Sequence, residues 1–156
     1  MVNKKDTLIK LSLTLLTEEW TCRGAVERPG NGRRVHILIL IVASNANLSR
    51  IWARHLRRNG EDVIVLRSQN EAVTYLRGGQ ADVIVLDLML EEGSAFAIAD
   101  FASYRQPDAR IVFVTRSSFF SDGSLFTHIP NTAAVLQEQT PPTDLAAIVA
   151  YHGRSS

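Results

Sequence analysis

A chain of 156 residues, 46% hydrophobic and 21% charged, is sized for one globular domain with a tail or arm. Its formal net charge of +1 hides an asymmetry, with seven Lys/Arg against four Asp/Glu over residues 1–34 and ten against twelve over 35–156, so the folded part offers no electrostatic case for nucleic acid. The single cysteine, Cys22, excludes an intramolecular disulfide and a thiolate cluster and makes a reducing cytoplasm the expected compartment. The longest aliphatic run, Ile37 to Ala43, is far below the roughly 20 residues of a membrane-spanning helix.

Residues 1–34 read as an N-terminal arm. Asp6 to Trp20 places Leu8, Leu11, Leu15 and Leu16 on one helical side, while Glu27 to Arg34, with Pro29, Gly30 and Gly32, reads as linker. A secretory leader is not expected, because Asp6 and Lys10 interrupt the apolar stretch. The arm is either helical or disordered, and a translation start near Val35 would remove it.

From residue 35 to 156 aliphatic runs alternate with helical patterns. The runs are Ile37 to Val42, Val63 to Leu66, Val83 to Leu86, Ile111 to Val114 and a weaker Ala133 to Leu136. A first helix is predicted from Asn47, which suits its start, to Gly60, which suits its stop, with positions 48, 51, 52 and 56 as the buried stripe. Further helices are predicted over Asn70 to Arg77, Ser94 to Tyr104, a glycine-broken Ser118 to Thr127, and Pro142 to His152, the last ended by Gly153. Strands apolar on both faces, each followed by a helix, imply an α/β fold with a doubly wound parallel sheet of five strands.

Function gathers at the carboxyl ends of strands in such sheets, and Val83-Ile84-Val85-Leu86 ends abruptly in the carboxylate of Asp87. Asp87 is therefore the leading candidate for chemistry. The three lysines are Lys4, Lys5 and Lys10, so no ammonium is available beyond position 10.

Over residues 36 to 153 the pattern resembles the receiver domain of two-component response regulators. The resemblance is carried by Ile39-Leu40-Ile41-Val42, Gly60, Val85-Leu86-Asp87-Leu88-Met89-Leu90 and Val112-Phe113-Val114-Thr115. It implies a (βα)5 flavodoxin-like sheet in order 2-1-3-4-5, a phosphoacceptor at Asp87 and a switch hydroxyl at Thr115. The family holds magnesium with an acidic pair after the first strand and contacts the phosphoryl group with a lysine after the fifth. Here Ala43 and Ser44 stand at the first position and Glu138 at the second, so both are degenerate. No cofactor is expected, with magnesium at most weakly held, and Arg116 is a candidate phosphate contact in place of the lysine. Glu91, Ala95 and Val135 replace a usual proline, glycine and aromatic.

The chain is thus expected to be a stand-alone, divergent pseudo-receiver in phosphorelay signalling, not an enzyme, with no residues left for an output domain. Its expected partner is a histidine kinase, a phosphotransfer protein or another signalling protein, with no nucleic acid and no membrane; the sequence leaves its oligomeric state open. Arg50, Arg54, Arg57 and Arg58 form either a solvated face or a contact for an acidic partner. Phe119, Phe120, Leu125 and Phe126 either cover the sheet or form a docking patch. His36, His55, His128 and His152 lie too far apart for a metal cluster. A flavodoxin-like nucleotide- or cofactor-binding domain is the alternative, although Ala43-Ser44-Asn45-Ala46-Asn47 contains no glycine and matches no phosphate-binding fingerprint.

Overall fold

The computed structural model describes residues 36–116 and 128–155. The predicted arm, the helix predicted over Ser118 to Thr127 and the Phe119, Phe120, Leu125 and Phe126 group lie outside the described residues.

The described residues form, in chain order, β1 (Leu38–Val42), α1 (Ala46–Arg58), β2 (Asp62–Leu66), α2 (Gln69–Gly78), β3 (Val83–Asp87), α3 (Ala95–Arg105), β4 (Arg110–Thr115), β5 (Thr132–Gln137) and α4 (Pro142–Arg154). The strands pair in parallel in the order β2-β1-β3-β4-β5. This is the doubly wound, flavodoxin-like order expected above.

Side chains alternate across a strand, so one continuous aliphatic run supplies both faces of the sheet. Leu40, Val42, Ile84, Leu86, Ile111 and Phe113 pack with Ala72 and Leu76 of α2 and with Ile98, Ala99 and Ala102 of α3. Ile39, Ile41, Val83, Val85, Val112 and Val114 pack on the other face with Trp52, Ala53 and Leu56 of α1 and Leu145, Ala146 and Val149 of α4. All of β3 is buried. A central strand closed on both sides by strands and on both faces by helices can display a functional group only at its ends.

Three local expectations are corrected. Helix α1 starts one residue earlier than Asn47, because Asn45 is the N-cap and its Oδ1 accepts the N–H groups of Asn47 at 3.1 Å and Leu48 at 3.2 Å. Ile51, assigned to the buried stripe, is 45% exposed; Ser49 and Ala53 take the inward positions beside Trp52 and Leu56. Finally, α4 does not stop at Gly153 but continues to Arg154, and a Cβ on Gly153 would run into the Ile37 side chain. That glycine is there for close packing rather than for termination.

Carboxylates also anchor the amino end of β1. The Glu61 side chain, 6% exposed, accepts the Ile37 N–H at 2.9 Å, and Asp82 accepts the Leu38 N–H at 2.8 Å. Backbone donors ahead of the strand ladder are thereby satisfied without extending the sheet.

Candidate functional site

Asp87 is the last residue of β3 and is 3% exposed. It sits opposite Val114 of β4, and its Oδ1 accepts the Met89 N–H at 2.9 Å, turning the chain away from the sheet. Burial is the largest influence on its carboxyl and raises it above the ordinary carboxylate value; the Met89 N–H and the Arg116 charge pull it down, while Glu138 pushes it up. Among the described residues, the two charges that act on Asp87 follow β4, which pairs with β3, and β5, the next strand out.

Thr115 ends β4 in register with Gln137 of β5 and is 3% exposed. Its carbonyl accepts the Glu138 N–H at 2.8 Å, which fixes the point where β5 leaves the sheet. That register brings the side chains of Arg116 and Glu138 into an ion pair across the ends of the two strands. Parallel pairing thus brings Asp87, Thr115, Arg116 and Glu138 to one end of three adjacent strands. The pairing of Arg116 with Glu138 could not be read from two positions 22 residues apart; the only hint was that both follow a strand.

The first strand contributes Ala43, Ser44 and Asn45. Ala43 is fully buried, and its N–H donates to Leu66 O at 3.1 Å. Ser44 Oγ accepts the Glu91 N–H at 2.8 Å and donates to Arg67 O at 3.4 Å, and Asn45 caps α1. The loop after Asp87 is also held from the far side, where the Gln69 N–H donates to Glu92 O at 3.1 Å and Gln69 Oε1 accepts the Ser94 N–H at 2.8 Å. Gly93 permits this course with φ +96°. These ties were missed in the sequence, whose only local signal was the glycine.

The residues present do not fit a magnesium ion. Such an ion favours an octahedron of oxygens, usually with one or two carboxylates. Here Asp87 is the one carboxylate the two strand ends supply, Ala43 has no side-chain oxygen, and the side-chain oxygens of Ser44 and Asn45 already hold backbone N–H groups. Among the described residues, no three His, Cys, Asp or Glu side chains are grouped to hold a metal, and the four histidines do not converge. No described helix is long and apolar enough to cross a membrane.

No protein-family model matches the chain, and no curated protein matches it. Solved structures do. The CheY-like response regulator receiver domain protein from Methanospirillum hungatei JF-1 superposes with a TM-score of 0.70 at 17% identity, covering 77% of this chain and 95% of that one. The signal receiver domain of a LuxO repressor protein from Vibrio parahaemolyticus gives 0.68 at 15% identity, covering 78% and 92%. A response regulator from Burkholderia pseudomallei, solved with a phosphorylated aspartic acid, a calcium ion and citrate, gives 0.64 at 21% identity, covering 76% and 69%. The sheet order, the helices on both faces and these superpositions together give this chain the fold of a response regulator receiver domain.

Proposed function

We propose that this chain is a receiver-like module of two-component signalling that works through protein contacts and holds its phosphoacceptor position, Asp87, in an unphosphorylated state. The observation that carries this reading is the ion pair between Arg116 and Glu138 beside Asp87. Phosphoryl transfer to a carboxylate brings anions together and needs uncommitted positive charge at the acceptor. Among the described residues, the one cation acting on Asp87 is paired with Glu138, and Glu138 itself repels an incoming phosphoryl group. At an effective dielectric near 20 and about 5 Å, each pair of unit charges contributes about 3 kcal/mol, or roughly two powers of ten in equilibrium.

The Burkholderia pseudomallei regulator carries a phosphorylated aspartate and a calcium ion. At the end of β1 this chain has Ala43 and a Ser44 whose hydroxyl is tied to the Glu91 backbone. Thr115 occupies the switch position, but with Arg116 held to Glu138 the end of β4 has a fixed electrostatic setting. A partner such as a histidine kinase, a phosphotransfer protein or another signalling protein then reads the domain's surface in one conformation, and the domain catalyses no reaction of its own.

The test is intact mass after incubation with acetyl phosphate and magnesium, beside an Asp87→Asn control. The expected outcome is no phosphoryl adduct on either protein. A prompt gain of one phosphoryl mass on the unsubstituted protein alone overturns the proposal in favour of a working phosphorelay receiver.

A further inference from the structure

Residues 88–94 join β3 to α3 and pass beside Asp87, yet little in their own side chains fixes their course. Leu88 and Leu90 are partly buried against the core, but Met89 is 56% exposed, and Glu91, Glu92, Gly93 and Ser94 all lie in solvent. A stretch that buries so little apolar surface has to be held by its polar contacts. Its first two residues are tied to the sheet, where the Leu88 N–H donates to Val114 O at 2.9 Å and the Met89 N–H to Asp87 Oδ1 at 2.9 Å.

Beyond Leu90 the ties come from two other loops. Ser44 Oγ accepts the Glu91 N–H at 2.8 Å while donating to Arg67 O at 3.4 Å, so one hydroxyl joins the segments that follow β1, β2 and β3. Gln69 binds with both of its ends: its backbone N–H donates to Glu92 O at 3.1 Å, and its Oε1 accepts the Ser94 N–H at 2.8 Å. These two bonds bracket Gly93, whose φ of +96° and missing Cβ let the Gln69 side chain lie directly against the backbone.

We propose that Ser44 and Gln69 are positioning residues that clasp residues 91–94 in one setting, so that the loop beside Asp87 keeps its course without a divalent cation. The strand ends do not fit a magnesium ion, and the Ser44 hydroxyl is committed to backbone groups on both sides. In the sheet order β2-β1-β3-β4-β5, Ser44 and Gln69 follow the two strands on one side of β3, while Arg116 and Glu138 follow the two on the other. The charges around Asp87 are therefore set from one side and the course of its loop from the opposite side, so a change in the first need not move the second. The inference rests on the reading above only in that the domain presents one conformation, and its measurement does not depend on whether Asp87 gains a phosphoryl group.

The test is the backbone amide order parameter, measured by NMR relaxation on the full chain. The unsubstituted protein is expected to give the value of rigid backbone, about 0.85, through residues 91–94, and to keep it when magnesium chloride and acetyl phosphate are added together. The double variant Ser44→Ala, Gln69→Ala is expected to fall below about 0.6 over the same residues while β3 stays rigid. Ser44→Thr with Gln69→Glu, which keeps an acceptor oxygen at each position, is expected to return the loop to the rigid value; that rescue separates a clasp from a general loss of packing. If the double variant does not fold, Ser44→Ala alone is expected to lower the value at Glu91. A loop that stays rigid in the alanine variants, or one that is loose in the unsubstituted protein and stiffens on adding magnesium chloride, overturns the proposal. A phosphoryl adduct with the loop values unchanged overturns the reading of Asp87 and supports the clasp.

Discussion

A carboxyl group at the end of a central strand is shielded from water whether or not it is charged, and Asp87 carries the consequence in a raised affinity for its proton. The sign of the effect on stability follows by linkage: in the range between the unfolded and the folded value, the native state binds more protons, so stability falls as pH rises through that range and stays lowered above it. Replacing Asp87 with Asn keeps an oxygen to accept the Met89 N–H and removes the buried charge. Urea denaturation is expected to show Asp87→Asn more stable than the unsubstituted protein at pH 7, with the difference shrinking as pH falls toward the ordinary carboxylate range. A variant less stable than its parent at neutral pH contradicts the account. Asp87 was legible in the sequence because an aliphatic run stopped at a carboxylate. The charges that act on it beside burial were legible only in part: Glu138 and the lack of any lysine beyond position 10 were visible, but the capture of Arg116 by Glu138 required the register of β4 against β5.

Elements here are defined as much by what their ends are tied to as by their periodicity. Asn45 gives α1 its start by accepting two backbone N–H groups, and removing that side chain leaves both without their partner. Asn45→Ala is expected to lower stability by about 1 kcal/mol in chemical denaturation, whereas Asn47→Ala, at the position the sequence suggested, should change it little. Equal effects at the two positions would contradict the assignment. Helix boundaries were read to within one or two residues, since any of several Asn and Ser residues near a start can cap it and only the backbone course selects one. The Ile51 error has a similar origin. A stripe at positions 48, 51, 52 and 56 is wide enough to include a residue at its margin, and the way α1 packs on the sheet decides which margin is covered.

At the scale of the domain, two apolar layers share one sheet, and the residues of β3 belong to both. Ile84 is fully buried in the layer beneath α2 and α3. Ile84→Ala is expected to cost about 2–5 kcal/mol, lowering the urea midpoint with little change in the slope. A smaller loss would mean that the layer closes around the gap. The alternation of aliphatic runs with helical patterns was enough by itself to determine the class of fold, because strands apolar on both faces have no stable home except a helix-covered parallel sheet. The sequence by itself also puts no lysine beyond position 10 and no carboxylate at Ala43, Ser44 or Asn45, which are facts of composition and order. What only the tertiary structure decided is which groups meet: Arg116 with Glu138, Ser44 with the Glu91 backbone, Gly153 with Ile37. Contacts between distant segments depend on strand register and loop course, and neither is encoded in the local periodicity from which a sequence is read.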